Sequence, residues 1–321
     1  MEKIIEPLGK ELLLAELTDD KFIRKTNNSD NDIYIFTSHE SPNLMKEIGR
    51  LREESFRIGG GGTGKSTDID EYDTNTNPYK QLIVWDPENQ EILGGYRFFN
   101  CNEQKCETDN KVDLSTAHLF EFSNEFKRHF LGGTIELGRS FVHPLYQSGQ
   151  AGRKGIFALD NLWDGLGSLI VDYPHVKYFF GKITMYQSFD KLGRDLILYF
   201  MNKYFGDREG LVKPHKALAY YHSENELANH LNAENYRDDY KQLSQKVRSL
   251  GDNIPPLFNA YMNLSSSMKC FGTAVNDEFG DVEETGILIT IQDIYSEKSK
   301  RHIESYINQI SKDHPGEVNL R

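Results

Sequence analysis

The chain has 321 residues and a mass of 37.0 kDa, with 38% hydrophobic and 27% charged residues, a composition typical of a folded chain with one large domain or two small ones. Its formal net charge of -12 at pH 7 argues against nucleic-acid binding, because that function needs a basic surface. The three cysteines, Cys101, Cys106 and Cys270, match no zinc-ligand spacing, so we predict reduced thiols and no metal.

The N-terminal residues and the hydropathy of the chain bear on its location. Residues 1–30 are predicted to be an N-terminal extension, and charges interrupt their apolar stretch, so this segment is not a secretory signal. No run approaches the about 18 apolar residues that a membrane-spanning helix needs. We therefore predict a cytoplasmic protein, with peripheral contact at the inner membrane left open.

Hydrophobic periodicity predicts alternating helices and strands. After a short strand at 33–37, Ser41 and Pro42 open a helix with Ser41 as its N-cap, and the glycines at 59–62 end it. The further predicted elements are a hairpin at 81–85 and 92–99, a helix at 123–130, a strand at 134–142, a helix at 156–171, a strand at 178–185, a helix at 190–205 and a strand at 286–291. Residues 222–253 are predicted to be a helical surface insertion. The pattern predicts a single α/β domain over 1–321, with a mixed, mostly antiparallel central sheet flanked by helices.

Residues 59–66, Gly-Gly-Gly-Gly-Thr-Gly-Lys-Ser, match the phosphate-loop pattern G-x-x-x-x-G-K-[ST]. That pattern binds nucleotides where a buried strand precedes it and a helix begins at the lysine. Here an amphipathic helix precedes it, and the acidic residues at 68–73 that follow would repel a triphosphate. We interpret the motif as a flexible loop and keep a nucleotide-binding regulatory protein as the alternative.

Polar residues recur in a fixed order at the ends and in the middle of predicted elements. An Arg-x-x-x-Phe pair is followed by Asp-x-x-Asp, by an arginine inside an apolar strand, and by Glu-x-x-Arg on the next strand. These residues are Arg52, Phe56, Asp70, Asp73, Arg97, Glu136 and Arg139. Each alone is consistent with a salt bridge or a turn. Glu136 and Arg139 are three apart, so they share a face of the strand only if a bulge intervenes, and Gly138 is the candidate for it.

This order resembles the acyl-homoserine-lactone synthases. It resembles more closely the ornithine-lipid and glycine-lipid N-acyltransferases, sometimes labelled hemolysin-like, through Glu-Leu-Gly-Arg-Ser at 136–140 and Ile-Pro-Pro-Leu-Phe-Asn-Ala-Tyr at 254–261. The resemblance covers residues 40–295. It implies a GNAT acyltransferase fold and an enzyme of aminolipid synthesis. It also implies that the enzyme moves a fatty acyl chain, with or without a 3-hydroxyl group, from an acyl carrier protein thioester to the α-amine of a small amino acid.

Chemistry of this kind needs a group that takes a proton from the amine, because an amino-acid amine is mostly protonated at neutral pH. Glu136 is our first candidate for that base, with His143 as the alternative. We expect Arg139 and Arg52 either to hold the acidic surroundings together or to bind the substrate carboxylate. Asp70 and Asp73 are expected to bind the amino group or to order the loop. The resemblance places Phe56 and Arg97 at the substrate as well.

We expect the phosphopantetheine phosphate of the donor to bind at the start of the helix near residue 156, where free backbone amides attract an anion. Arg153, Lys154 and Gly155 lie at this point in an otherwise acidic chain. The usual GNAT pyrophosphate loop survives only loosely at 147–152, which weakens the case for coenzyme A. We therefore predict acyl carrier protein as the partner and thioester donor, with no bound cofactor.

Two questions stay open at the level of sequence. Glycine, ornithine, serine and lysine all remain candidate acceptors, and glycine is slightly favoured because no additional acidic group is assigned to a side-chain amine. A synthase that makes an acylated lactone signal is the alternative within the same chemistry.

Overall fold

A computed structural model describes residues 1–104, 112–147 and 152–313, with the backbone alone at 152–156 and 313. Its strands are β1 Phe22–Lys25, β2 Asp32–Phe36, β3 Lys80–Asp86, β4 Glu91–Asn100, β5 Phe120–Phe122, β6 Thr134–Val142, β7 Tyr178–Met185, β8 Val212–Pro214, β9 Lys269–Asn276 and β10 Val282–Thr290. Its helices are α1 Lys10–Leu14, α2 Pro42–Gly59, α3 Glu71–Thr74, α4 Asn124–His129, α5 Pro144–Gln147, α6 Gly152–Asp172, α7 Lys191–Phe205, α8 Glu224–His230, α9 Tyr236–Ser249, α10 Pro256–Met262, α11 Ser296–Ser299 and α12 Ser305–Asp313.

The chain divides into two compact units. The first consists of Met1–Asn100, Ile135–Lys177 and Tyr295–Arg321, and the second of Cys101–Thr134 and Tyr178–Ile294. In the first unit the strands pair in the order β1-β2-β3-β4-β6, each pair antiparallel. In the second unit β10 lies between β7 and β9, and β5 pairs with β8, again antiparallel. The predicted fold class, α/β with a mostly antiparallel sheet, is confirmed, and the single-domain prediction stays a prediction.

Helix α2 places the first candidate site residue and follows its sequence signals closely. Pro42 occupies the first turn, and Gly60 ends the helix with a φ of 94°, a left-handed conformation that glycine adopts at no steric cost. Met45, Ile48 and Leu51 are buried in one apolar cluster, and their spacing of three residues places them on one face of the helix. Ser41 stands at the predicted N-cap position, although its side chain makes no capping hydrogen bond.

Two segments that the sequence analysis set apart have defined structure. The N-terminal thirty residues contain α1 and the edge strand β1, which pairs with β2. In the segment 222–253, helices α8 and α9 bury Leu227, Leu243 and Val247. Lys203 and Tyr204 of α7 bind the buried carboxylate of Asp239, so these helices are joined to α7 by polar as well as apolar contacts.

One helix differs from its predicted boundary. Helix α6 begins at Gly152 rather than near residue 156, so residues 153–155 belong to its first turn. It packs against the sheet of the first unit, where Gly165 lies against the side chain of Leu82 in β3. Among the described residues, no helix is both long enough and apolar enough to cross a membrane.

Candidate active site

Side chains from three adjacent strands of the first unit lie on one face of the sheet. Gln81 of β3 is opposite Arg97 of β4, and Phe99 of β4 is opposite Glu136 of β6. Directly opposed residues of antiparallel strands point to the same face, and side chains two apart along a strand do so as well. Tyr79 immediately precedes β3, and its ring stacks on Phe99 with ring centroids 4.9 Å apart. The sheet therefore carries a row of polar and aromatic groups on this face, while Leu82 on the other face meets α6.

A bulge in β6 brings Arg139 to the same face. Gly95 is opposite Phe141 and Arg97 is opposite Gly138, so β6 contains one residue more than β4 over this interval. The predicted bulge is thus present. The residue that adopts the left-handed conformation is Arg139, with a φ of 48°, and not the expected Gly138. The bulge turns the Arg139 side chain toward Asp68 and Asp70, and Asp70 also binds Arg97.

The carboxylates come from the segment that follows α2. The amide of Asp68 donates to the carbonyl oxygen of Gly49 in α2. Asp70 and Asp73 cap the short helix α3 reciprocally, each side chain accepting from the backbone amide of the other residue. Asp68 and Asp73 are fully buried, whereas the side chain of Asp70 is 27% exposed. The acidic run therefore places two buried carboxylates and one partly exposed carboxylate beside the sheet.

Three arginines and these three aspartates alternate in one ion-pair network. Arg52 Nη1 lies 3.3 Å from both carboxylate oxygens of Asp73. Arg97 Nη1 donates to Asp70 at 2.7 Å and to Asp73 at 3.2 Å. Arg139 lies 2.8 Å from Asp68 through Nε and 3.5 Å from Asp70 through Nη2. Breaking one buried pair in such a network leaves an uncompensated charge, which typically costs about 3–5 kcal/mol.

Burial and neighbouring charges act in opposite directions on the groups at the centre of the network. Burial acts to raise the pKa of Asp73, but the guanidinium groups of Arg52 and Arg97 hold it well below the usual range. Burial acts to lower the pKa of Arg97, but Asp73 and Asp70 raise it. Arg52 is completely buried, and it also donates to the side chain of Gln81. Buried protein groups therefore compensate the charge of Arg52, which agrees with the expectation that it holds the acidic surroundings together.

Glu136 lies beside this network and is also fully buried. The hydroxyl group of Tyr79 donates to its Oε2 atom. Tyr79, Gln81 and Asp68 also belong to the site, and the sequence did not predict them there. The alternation of side chains in the predicted hairpin could have placed Gln81 next to Arg97, but the position of Asp68 depends on how the loop folds back onto α2.

The remaining acceptor-side predictions have different outcomes. Phe56 is half-buried and packs against the apolar cluster of α2. His143, the alternative base, accepts a hydrogen bond at Nδ1 from the amide of Leu145, and burial lowers the pKa of its imidazole. A ring nitrogen that already accepts a hydrogen bond is a poor proton acceptor, so the contacts of His143 favour a structural role. Nothing tests the substrate role of Phe56, which stays a prediction.

The donor-side prediction falls at the margin of the described residues. Arg153, Lys154 and Gly155 lie in the first turn of α6, but their side chains are outside what the structure describes. The loose pyrophosphate loop at 147–152 lies for the most part outside it as well. The assignment of these residues to the donor stays a prediction.

The glycine motif is bound by a carboxylate of the protein itself. Glu53 of α2, fully buried, accepts from the amide and hydroxyl of Thr63 at 3.0 and 2.7 Å and from the amide of Gly64 at 2.8 Å. Burial acts to raise the pKa of Glu53, but hydrogen bonds from Arg57 and Thr63 lower it. Amides that would bind phosphate in a nucleotide-binding loop thus bind Glu53, which supports the interpretation of this segment as a structural loop.

Comparison with known proteins identifies the family. Residues 51–154 match the family model described as "Acetyltransferase (GNAT) domain". The chain is 57% identical to the glycine N(alpha)-acyltransferase of Phocaeicola vulgatus over 309 residues, which cover 96% of this chain and 95% of that protein. It is also 57% identical to the glycine N(alpha)-acyltransferase of Bacteroides thetaiotaomicron over 307 residues, covering 96% and 91%.

Among solved structures, TofI in an apo form overlaps 81% of this chain and 90% of its own, with 9% identity and a TM-score of 0.34, which is too low to support an argument. The two curated relatives, in contrast, match almost the whole chain at high identity. The chain is therefore an acyltransferase with a GNAT domain, and it belongs to the glycine N(alpha)-acyltransferase family.

Proposed function

We propose that this enzyme transfers a fatty acyl group from an acyl carrier protein thioester to the α-amine of glycine, as a step of aminolipid synthesis. The observation that carries the acceptor is the 57% identity, over 96% of the chain, to two enzymes named for glycine N(alpha)-acylation. The donor rests on the resemblance to carrier-protein-dependent families and on the basic pair Arg153 and Lys154.

The geometry supports a structural role for the buried members of the ion-pair network and a substrate-binding role for the partly exposed ones. Arg52 and Asp73 are fully buried, so we assign them to holding the site together. The side chains of Asp70 and Arg139 retain 27% and 13% exposure, and we assign them to the substrate. Glycine is a zwitterion with one ammonium and one carboxylate group. Asp70 would bind the ammonium group, and the planar guanidinium of Arg139 would bind the carboxylate.

In the proposed reaction, Glu136 takes one proton from the ammonium group and so produces the free amine. The amine nitrogen attacks the thioester carbonyl, forming the new C–N bond and an oxyanion. We place the oxyanion at the backbone of residues 139–141, where the bulge interrupts pairing with β4. Collapse breaks the C–S bond, and the carrier's phosphopantetheine thiolate leaves and takes up a proton. The second amine proton leaves the nitrogen as the amide forms and supplies the proton that the thiolate takes up.

A competition assay tests this assignment. The purified enzyme is mixed with equimolar glycine, ornithine, serine and lysine and with either an acyl carrier protein thioester or the matching coenzyme A thioester. Products are identified by mass spectrometry, and released thiol is measured. We expect N-acylglycine as the main product and faster turnover with the carrier protein. A different acylated amino acid would overturn the acceptor, and equal use of coenzyme A would overturn the donor.

The role of Glu136 is tested by Glu136→Gln, which keeps the volume of the side chain and removes the carboxylate. We expect turnover at saturating glycine to fall by roughly 10²–10⁴-fold, the usual contribution of a general base. Glu125→Gln, at an exposed carboxylate in α4, is the matched control and should retain wild-type turnover. Near-normal acylation by Glu136→Gln would remove Glu136 from the mechanism.

A further inference from the structure

Tyr79 and Glu136 are joined across the sheet. Phe99 of β4 lies between them: it is opposite Glu136 in register, and the ring of Tyr79 stacks on it. The tyrosine hydroxyl reaches over Phe99 and donates to Oε2 of Glu136. Tyr79 is only 2% exposed and Glu136 is not exposed at all. A hydrogen bond to a carboxylate at such a buried position is worth more than one in water.

The ring of Tyr79 is held on several sides. The Arg97 guanidinium carbon lies 5.2 Å from the ring centroid, and the ring of Tyr72 meets it edge-on at 5.5 Å. The Tyr79 amide donates to the carbonyl oxygen of Tyr72 at 2.7 Å. Since Arg97 also binds Asp70, the contacts that fix Tyr79 are continuous with the network to which we assign the substrate amine. These contacts with the proposed acceptor site thus hold the Tyr79 hydroxyl in place.

We propose that Tyr79 is a positioning residue for the acyl transfer: its hydroxyl fixes the carboxylate of Glu136 in the orientation that accepts the amine proton. This inference rests on the proposed function, in which Glu136 is the base. The proton passes from the substrate ammonium to Glu136, and Tyr79 keeps its own proton throughout.

The test is Tyr79→Phe, which removes the hydroxyl and keeps the ring against Phe99 and Arg97. A charge-assisted hydrogen bond of this kind corresponds to roughly a ten- to hundredfold effect on turnover. We expect kcat to fall by that factor with little change in the KM for glycine.

Tyr173→Phe is the matched control. The Tyr173 hydroxyl accepts from Nζ of Lys80 at 2.9 Å, and Lys80 is the next residue after Tyr79 but points to the other face of the sheet. This variant loses a tyrosine hydroxyl of the same unit and should retain wild-type kcat. Melting temperatures of both variants are compared, so that a loss of stability in Tyr79→Phe is separated from a loss of turnover.

A double-mutant cycle decides between a role through Glu136 and an independent one. If Tyr79 acts through Glu136, Tyr79→Phe should add little to the defect of Glu136→Gln. Wild-type kcat in Tyr79→Phe would overturn the inference, and so would full additivity with Glu136→Gln. Near-normal activity of Glu136→Gln alone would instead overturn the proposed role of Glu136, so the two failures are distinguishable.

Discussion

Arg139 and Asp68 form an ion pair with Nε and Oδ2 2.8 Å apart, and the arginine holds it from a left-handed backbone conformation with φ 48°. This conformation costs an L-residue free energy, and in this structure it belongs to the bulge that directs the guanidinium to the buried carboxylates. Strained backbone conformations cluster at functional sites, so the conformation of Arg139 agrees with a role in the candidate active site.

The strain at Arg139 can be measured with two substitutions. Arg139→Gly and Arg139→Ala both lose the guanidinium, so both should lose most activity. Glycine adopts the left-handed conformation freely, and alanine does not, so we expect Arg139→Gly to be more stable by about 1 kcal/mol. Urea unfolding monitored by circular dichroism measures the difference. Equal stability of the two variants would mean that the bulge relaxes when the ion pair is lost.

Asp73 should make stability depend on pH in the acid range. The unfolded chain protonates an aspartate near its ordinary pKa of about 4, while Arg52 and Arg97 hold the folded-state pKa of Asp73 lower. The unfolded state therefore binds more protons below about pH 4, so stability from Asp73 is fully present above that pH and is lost as the pH falls.

Asp73→Asn should reduce the free energy of unfolding at pH 7 by about 3–5 kcal/mol, because it leaves buried arginines under-compensated. It should also flatten the decline in stability below about pH 4. Urea unfolding between about pH 3 and 7 checks both effects, because this range runs from below the ordinary aspartate pKa of about 4 to well above it. Asp19→Asn, at an exposed aspartate of the same unit, should change neither. An unchanged acid slope in Asp73→Asn would show that Asp73 does not titrate as described.

The glycine loop should depend on Glu53 and not on Lys65. Lys65→Ala alters an exposed side chain and should change stability by less than about 0.5 kcal/mol, with activity retained. Glu53→Gln weakens the hydrogen bonds to Thr63 and Gly64 and should cost about 1–3 kcal/mol in unfolding free energy. Calorimetry should detect no ATP binding to the wild type. ATP binding that Lys65→Ala abolishes would restore the nucleotide interpretation.

Charge reversal at the start of α6 tests the donor surface. Carrier proteins are acidic, so Arg153→Glu with Lys154→Glu should raise the KM for the acyl carrier protein roughly tenfold or more at low salt. The KM for glycine should change much less. The effect should shrink as added salt shortens the Debye length from roughly 10 Å at 0.1 M to 3 Å at 1 M.

Arg237→Glu with Lys241→Glu is the matched control for that experiment. It reverses two exposed cations on α9 and changes the net charge equally, so it separates a docking surface from a general charge effect. Wild-type kinetics of the Arg153 and Lys154 double variant with the carrier protein would place docking elsewhere.

The sequence alone determined the elements and the family. Helix α2, the hairpin of β3 and β4, and strand β6 follow from local periodicity and turn residues, which act within a few positions of each other. The order from Arg52 to Arg139 was recognisable because the residue types and spacings of a motif can be read directly. Even the need for a bulge near Gly138 followed from the two-residue period of a strand.

Only the tertiary structure decided how these residues are used. Tyr79 meets Glu136 although the two are 57 residues apart in the sequence, and no local period encodes such a contact. Arg52 is fully buried and pairs with Asp73 inside the protein. Glu53 accepts hydrogen bonds from the glycine loop, which resembles a phosphate-binding loop only in its sequence. Burial and pairing arise when strands and loops pack together, and these determine which charges are compensated within the protein and which remain for a substrate.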